Sequence, residues 1–586
     1  MSLSNFAGPA VLNQALLHHR ALTHLPSRRA ERLIHRRSTD LPHHQHSAHP
    51  KAHRYIKASC FAVATCFCSL TAHGQTLPAK QTDVSANTPV SRPAQAPIPR
   101  KKSPPLSKIP AVPQPFGSRG HGPGRDNVYL LRFDEDYSYM RNPAAAAQTP
   151  SYKFIPLNAD RDSWLTLNVS QRFLVDHNNL NVVKSLLSVS NEFQTRTTMG
   201  ADLHLGSHFR FYLEGLNGEN VGATNFAGKT SVDFGIFNAF TEITNQSGGI
   251  QYGARLGRQE LWLGNGMVMS NRGLSNIPAS WNGVRTYADW GRGRIDIFSM
   301  VPTLYARKPL GGELRTGMHL SGVYGSFSLP AGHLGSWPLS SSIDPFFIRY
   351  TADSNPYESA DMLIRTPGRI PYFAPGPDTR NSFGIRYYGG WGPIDFDYTG
   401  VFQTGRTAGN KVNAWMFTTQ TDYVWRDRTS QPRIGLSFDA ASGGTSGTPG
   451  HGETNTYQPL YDNAPYFGDG LSVSQTNTVD ISPSASIDLA HNTRLSAMYS
   501  FYYRQNQNDA IYGGSAGSYS TFNPYFRTAN VRGKYIGSLP EVILHWRQSR
   551  TQLLTFTVGY FMPGSALKKI GGRNTAYVQM QSMMFF

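Results

Sequence analysis

Arginine recurs opposite apolar faces along this chain. Phe209, Phe211 and Leu213 alternate with Arg210, Tyr212 and Glu214. Ile295 and Ile297 alternate with Arg294 and Asp296, and Ile385 and Tyr387 with Arg386 and Tyr388. Leu495, Ala497, Tyr499, Phe501 and Tyr503 alternate with Ser496, Met498, Ser500, Tyr502 and Arg504. A period of two puts such sets on opposite faces of a sheet. By this phase Arg196, Arg210, Arg294, Arg386 and Arg504 share the polar face, with the aromatic rings of Tyr212 and Tyr502 beside them. Arg285 shares a face with Gly283 and Tyr287, while Arg255 and Gln259 oppose Ala254 and Leu256. Strict alternation then turns Arg258 to the apolar side, which requires a rim position or a bulge. A guanidinium keeps its charge at any working pH and pairs carboxylates through a planar fork. The set therefore suits an acidic ligand. Each arginine also has a plainer role, pairing with a neighbouring acid to stiffen the sheet.

Catalytic patterns are lacking. No His-Glu-x-x-His occurs, and the histidines after residue 57 are scattered. Gly443 to Gly452 is Gly-rich but is not followed by the Lys-Ser/Thr of a phosphate-binding loop. The reading is not an enzyme, with no cofactor and no metal.

The elements that must position the arginines are short alternating runs between Gly, Asn, Asp, Ser and Pro turns, from about Asn127 onward. Val542, Leu544 and Trp546 alternate with His545 and Arg547; Leu554, Phe556, Val558 and Tyr560 alternate with Thr555, Thr557 and Gly559. A soluble β-sandwich would turn the apolar set inward; a membrane barrel turns it to lipid and lines its lumen with the polar set. An export signal and the repeated arginines favour the barrel. So does the tail, where Val578, Met580, Ser582 and Met584 occupy one phase and the chain closes on Phe586. Such a terminal aromatic strand is what outer-membrane barrels present to their assembly machinery. Residues 126–586 accommodate roughly 18 strands at about 25 residues per strand and turn. The polar stretches near 302–380 and 440–475 are expected to be loops.

The chain before the barrel has three parts. Residues 1–57 hold nine histidines and nine Lys/Arg without hydrophobic period, and read as an over-extended start or a disordered leader. Residues 58–74 form an apolar run after a basic stretch, expected to be a secretory signal with cleavage after Gly74. All three cysteines (Cys60, Cys66, Cys68) lie in it, so the mature chain needs no disulfide. Residues 75–125 are Pro-rich and basic, and read as a disordered linker. The net charge of +18 sits mostly here: residues 1–125 carry 17 Lys/Arg and three acids, against 38 and 34 in residues 126–586. Nucleic-acid binding does not follow from the pI.

Several segments resemble the alginate-export family of outer-membrane barrels. They include Arg132-Phe133-Asp134-Glu135-Asp136-Tyr137-Ser138 and Leu256-Gly257-Arg258-Gln259-Glu260-Leu261 with Gly264-Asn265-Gly266. Asn282-Gly283-Val284-Arg285 follows, with Asn where the family carries Asp. Later come Gly435 to Gly443, Tyr457-Gln458-Pro459-Leu460-Tyr461, Tyr503 to Gly513 and Gly559 to Gly564. The resemblance implies an 18-stranded barrel whose basic, constricted lumen passes an acidic polysaccharide outward. It also implies contact with outer-membrane lipid and lipopolysaccharide, and a periplasmic tetratricopeptide-repeat scaffold as partner. A general anion- or oligosaccharide-permeable porin is the alternative reading.

Overall fold

The computed structural model describes residues 131–586, except 144–149, 179–190, 223–230, 274, 355–362, 365–371, 374–375, 445–451, 462–472 and 513–530. The leader, signal and linker at 1–57, 58–74 and 75–125 lie outside the described residues, as does most of the Gly443–Gly452 run.

The chain forms one closed antiparallel barrel. Of 22 strands in its sheet, four are ribbons of two or three residues, and the other 18 build the wall. They are β1 (Trp164–Asn178), β2 (Asn191–Leu205), β3 (Phe209–Val221), β4 (Val232–Ser247), β5 (Ile250–Gln259) and β6 (Trp281–Asp289). Next come β7 (Gly293–Leu304), β8 (Met318–Ser328), β9 (Trp337–Ala352), β10 (Asp378–Trp391), β11 (Ile394–Thr407) and β12 (Asn410–Val424). The wall ends with β13 (Arg433–Ala441), β14 (Thr478–Ala490), β15 (Thr493–Arg504), β16 (Tyr535–Arg547), β17 (Gln552–Pro563) and β18 (Thr575–Phe585). Closure joins β1 to β18, from Ser170 opposite Phe585 to Asn178 opposite Tyr577. Pairing every edge is what permits a sheet to sit in lipid.

The alternation read from the sequence sets the wall's two faces. Leu213 is 56% exposed and Leu256 64%, while Glu214 and Arg255 beside them are 2% and 5% exposed. Burial is thus inverted relative to a soluble protein: apolar side chains face out and polar ones in. Among the described residues no helix is long and apolar enough to cross a membrane; the strands do so.

Connections alternate in length. The end where β1 begins and β18 finishes has short turns, such as Gly248-Gly249 between β4 and β5. Both glycines have positive φ (58° and 77°), the geometry of a tight hairpin turn. Most long connections emerge at the other end. In outer-membrane barrels the short turns are periplasmic and the long loops extracellular.

Two expectations need correction. Residues 302–380 are not all loop, since β8 and β9 lie within them. Their lumen phase carries small or polar groups (Ser326, Ser340, Ser342, Asp344), and Gly325 and Pro345 interrupt the outward phase. This hid the alternation. The wall also starts at Trp164 rather than 126, because residues 131–143 and 150–156 form a strap inside the barrel.

Three kinds of segment fill the interior. At the loop end, the β5–β6 connection folds inward, and Leu261, Leu263, Met267 and Met269 pack on Trp281, Met300, Leu320 and Ile348. Tyr457, Leu460 and Tyr461 join this core, and Ser270 N–H donates to the Tyr461 carbonyl at 2.6 Å. Gly264 lets the loop turn there: its φ is +55°, and a Cβ would collide with the Tyr324 hydroxyl. A second apolar cluster joins Ala566 and Leu567 of a short helix (α1, Ser565–Lys568) to Ile536, Phe561 and Tyr577. At the turn end the strap enters the lumen, and Leu131 and Phe133 are fully buried against Tyr212, Phe240 and Trp262.

Candidate functional site

The polar phase of β2–β7 forms a continuous lattice of arginines and acids. Arg210 pairs with Asp202 at 2.7 Å and Glu242 at 3.0 Å. Glu242 also accepts from Arg255 at 3.1 Å and from the Tyr287 hydroxyl at 3.0 Å. The guanidinium of Arg294 lies 4.0 Å from the Tyr287 ring centroid and grips Asp296 through two hydrogen bonds, at 2.7 and 2.8 Å. Asp296 accepts from Arg285 as well, at 2.9 Å. These contacts cross strands, because antiparallel register puts Arg255 opposite Arg285 and Arg210 opposite Glu242. Like charges brought together this way need the acids between them.

Across the lumen, Arg386 makes a second node. It bonds Asp397 at 2.7 and 2.8 Å and Asp344 at 3.3 Å, and sits 3.9 Å from the Tyr388 ring centroid. Asp344 is held in turn by Tyr324 and Ser326, at 2.8 and 2.6 Å. The inward loop touches this node through Asn265, which donates to Asp397 at 3.3 Å.

The remaining candidates anchor segments. Arg196 donates to the carbonyls of Gly273 and Ser275 at 2.8 Å, tying the β5–β6 loop to the wall. The same loop is held where Asn238 bridges Glu214 and Glu260, at 2.7 and 2.9 Å. Arg504 donates to the carbonyls of Asp509 and Gly533 and fixes the β15–β16 connection. Tyr212 and Tyr502 are buried, the former stacked 5.3 Å from Phe240. Gln259 is fully buried, and its amide makes no hydrogen bond among the described residues. Arg258 lies on the outward phase at the loop rim. There it bonds Asn282 at 2.9 Å and the carbonyls of Ile236 and Gly312 at 2.8 and 3.0 Å. That is the rim alternative left open by strict alternation, and it stands apart from the lumen lattice.

The strap engages the lattice directly. Arg210 donates to the Phe133 carbonyl, and the Arg255 guanidinium lies 4.6 Å from the Phe133 ring and 4.2 Å from that of Phe240. Arg132 and Lys153 of the strap both reach Glu135, at 2.9 and 3.7 Å, and both donate to the main-chain oxygen of Phe586 at 3.0 Å. Burial holds the Lys153 ammonium down at about 8 against the opposing pull of Glu135.

A further cluster escaped the sequence reading. At the turn-end mouth a cavity of about 430 Å³ is lined by His491, Arg494, His545, Arg547 and Arg550, with Asp488 as its acid. Arg494 pairs with Asp488 at 2.7 Å, while Arg550 is exposed and has no side-chain partner among the described residues. His545 and Arg547 were visible as the polar phase of β16. Nothing local showed that register would set Arg494 opposite His545.

The family model described as "Alginate export" matches residues 167–581. No curated protein matches the chain. Among solved structures it is similar to Pseudomonas aeruginosa OccD3 (OpdP), at 10% identity over 72% of this chain and 91% of that one, with a TM-score of 0.43. It is also similar to Pseudomonas aeruginosa OpdK with vanillate, at 6% identity over 74% and 99%, TM-score 0.46. A third is Pseudomonas aeruginosa OccK2 (OpdF) in complex with glucuronate, at 9% over 72% and 98%, TM-score 0.43. The family match spans nearly the whole wall, from within β1 to within β18. This chain therefore belongs to the alginate export family and is an outer-membrane channel for exopolysaccharide rather than an enzyme.

Proposed function

We propose that the barrel passes an alginate-like polyuronate outward, from the cationic mouth at the turn end along the arginine lattice. The observation that carries this reading is the lattice itself: Arg210, Arg255, Arg285 and Arg294 on adjoining strands, each already balanced by an acid. A polymer bearing one carboxylate per sugar needs many weak cationic contacts and no deep well. An arginine half-satisfied by a neighbouring acid provides that, because an incoming carboxylate exchanges one pairing for another. The mouth formed by Arg494, Arg547 and Arg550 concentrates polyanion before entry. A periplasmic tetratricopeptide-repeat scaffold is the proposed delivery partner, acting on the turn-end face. Processing after Gly74 would release the linker into the same compartment.

Single-channel recording in planar bilayers tests this. The expected result is anion selectivity with dose-dependent block by oligouronates from the turn end. Arg494→Glu with Arg550→Glu should weaken that block. Block by neutral oligosaccharides of equal length would instead support a general porin. That rival reading draws on the neutralised state of the lattice.

A further inference from the structure

The outer wall has a step at its loop rim. β13 ends at Ala441 and β14 starts at Thr478, but β12 extends six residues past its last pairing with β13, from Ala414's neighbour Trp415 back to Asn410. On this extension Val412 and Ala414 point into the interior core, so Lys411, Asn413 and Trp415 point outward. The chain after β13 crosses the step. Ser442 exchanges two hydrogen bonds with Trp415, both at 2.9 Å, and Glu453–Thr454 pairs in parallel with Lys411–Val412.

The crossing leaves a polar cavity of about 510 Å³. Asn413, Trp415, Glu453, Asn455, Gln507, Asn508 and Lys534 are among its lining residues. Its frame is rigid. The fully buried Asp509 carboxylate accepts from Gly444 N–H, Ala510 N–H and Tyr512 at 2.7 Å and from Thr456 at 2.8 Å, joining three loop segments. Asn477 clamps the same turn, accepting from Asn506 N–H at 2.7 Å and donating to the Ala510 carbonyl at 2.7 Å. Within this fixed frame the side-chain amides of Asn413, Asn455, Gln507 and Asn508 make no hydrogen bond among the described residues.

Unpaired amides suit paired sugar hydroxyls, since each supplies a donor and an acceptor. An indole face suits the C–H face of a sugar ring, and an exposed lysine suits a phosphate or carboxylate substituent. The location selects the source. The groove opens outward rather than into the lumen, and it borders the lipid-facing band of Phe417, Leu436 and Phe438, which are 42%, 50% and 41% exposed. We infer that this groove binds the anionic saccharide headgroup of an outer-leaflet glycolipid, whose acyl chains lie along that band. The inference rests on the barrel's outer-membrane placement and not on the polyuronate reading.

Native mass spectrometry of the full barrel in detergent tests it. Three probes separate the sources: a bisphosphorylated acylated glucosamine disaccharide, phosphatidylglycerol, and a short oligomannuronate. The expected result is retention of the disaccharide lipid in preference to phosphatidylglycerol. That retention should fall about ten-fold in Gln507→Ala/Asn508→Ala/Lys534→Ala, with heat-modifiable gel mobility preserved. Lys534→Ala alone, at an exposed site, serves if the triple variant does not fold, and it should still weaken retention. Equal retention of phosphatidylglycerol overturns the inference, as does retention unchanged in the variants. Oligomannuronate displacing the lipid from the wild type but not from the variants overturns it too, reassigning the groove to the exported polymer.

Discussion

The two ends of the lumen are closed by different chemistry. At the loop end, Leu261, Leu263, Met267, Met269, Leu460 and Tyr461 pack on apolar side chains of the inner wall. At the turn end the strap adds ionic contacts to the packing of Leu131 and Phe133: Arg132 and Lys153 on the Phe586 main-chain oxygen, Arg210 on the Phe133 carbonyl, and Arg255 over the Phe133 ring. Apolar packing is non-directional, and a hydrated polyanion offers no substitute for it. Ionic contacts are different, because an incoming anion can replace an acid or a carbonyl at a cation. The contrast teaches that one inner wall can carry two kinds of closure, one with contacts an anion can exchange and one that requires the loop itself to move.

The largest expected effect breaks the loop-end closure. Met269→Asp, a charge placed in a fully buried apolar site, should release the β5–β6 loop and raise single-channel conductance several-fold. Conductance equal to wild type would show that this loop does not restrict the pore. Next, Phe133→Ala should cost about 3–5 kcal/mol of strap docking, read as faster proteolysis within 131–156 while the wall stays intact. Wild-type barrel with added oligouronate should show the same faster cleavage, with no change at the β5–β6 loop. Protection of the strap by oligouronate would remove the contrast. Glu135→Gln should loosen the strap less, by about 1–3 kcal/mol, because it takes away one shared acid and keeps the Phe133 anchor.

The smallest effect is on pH. Lys153 is lowered to about 8 in the docked strap from its ordinary value near 10.5. Between those values the released strap binds the proton and the docked one does not. Docking should therefore strengthen as pH rises through this window and weaken as it falls. Hydrogen exchange of residues 150–156 at pH 7.5 and 9.5 reads this directly, and Lys153→Met should abolish the difference.

Much of the wall was legible in local sequence. Period two put Phe209, Phe211, Leu213, Ile297, Ile385, Val542 and Val558 on apolar strand faces, because a strand face is a local property; the export signal and the arginines turned those faces outward. The strand count followed from length for the same reason. β8 and β9 were missed where small and polar residues lined the lumen and glycine interrupted the outer phase. The candidate arginines were harder. Phase put Arg210, Arg255, Arg285, Arg294 and Arg386 on the inner face, where the structure places them. It also put Arg196 and Arg504 there, yet these hold loop carbonyls rather than the lattice. Their partners lie 77 and 29 residues away in the chain, so no spacing rule could pair them.

By itself, then, the sequence determined that this protein is a barrel with a greasy exterior and a charged interior. Each strand carries its own alternation, and a closed sheet is the only way to satisfy so many edges in lipid. Only the tertiary structure decided what occupies that interior: which arginines face acids, which hold loops, and how strap and loop close opposite ends. Those outcomes depend on register across strands and on chain segments returning from a distance, and neither is written in any short stretch of residues.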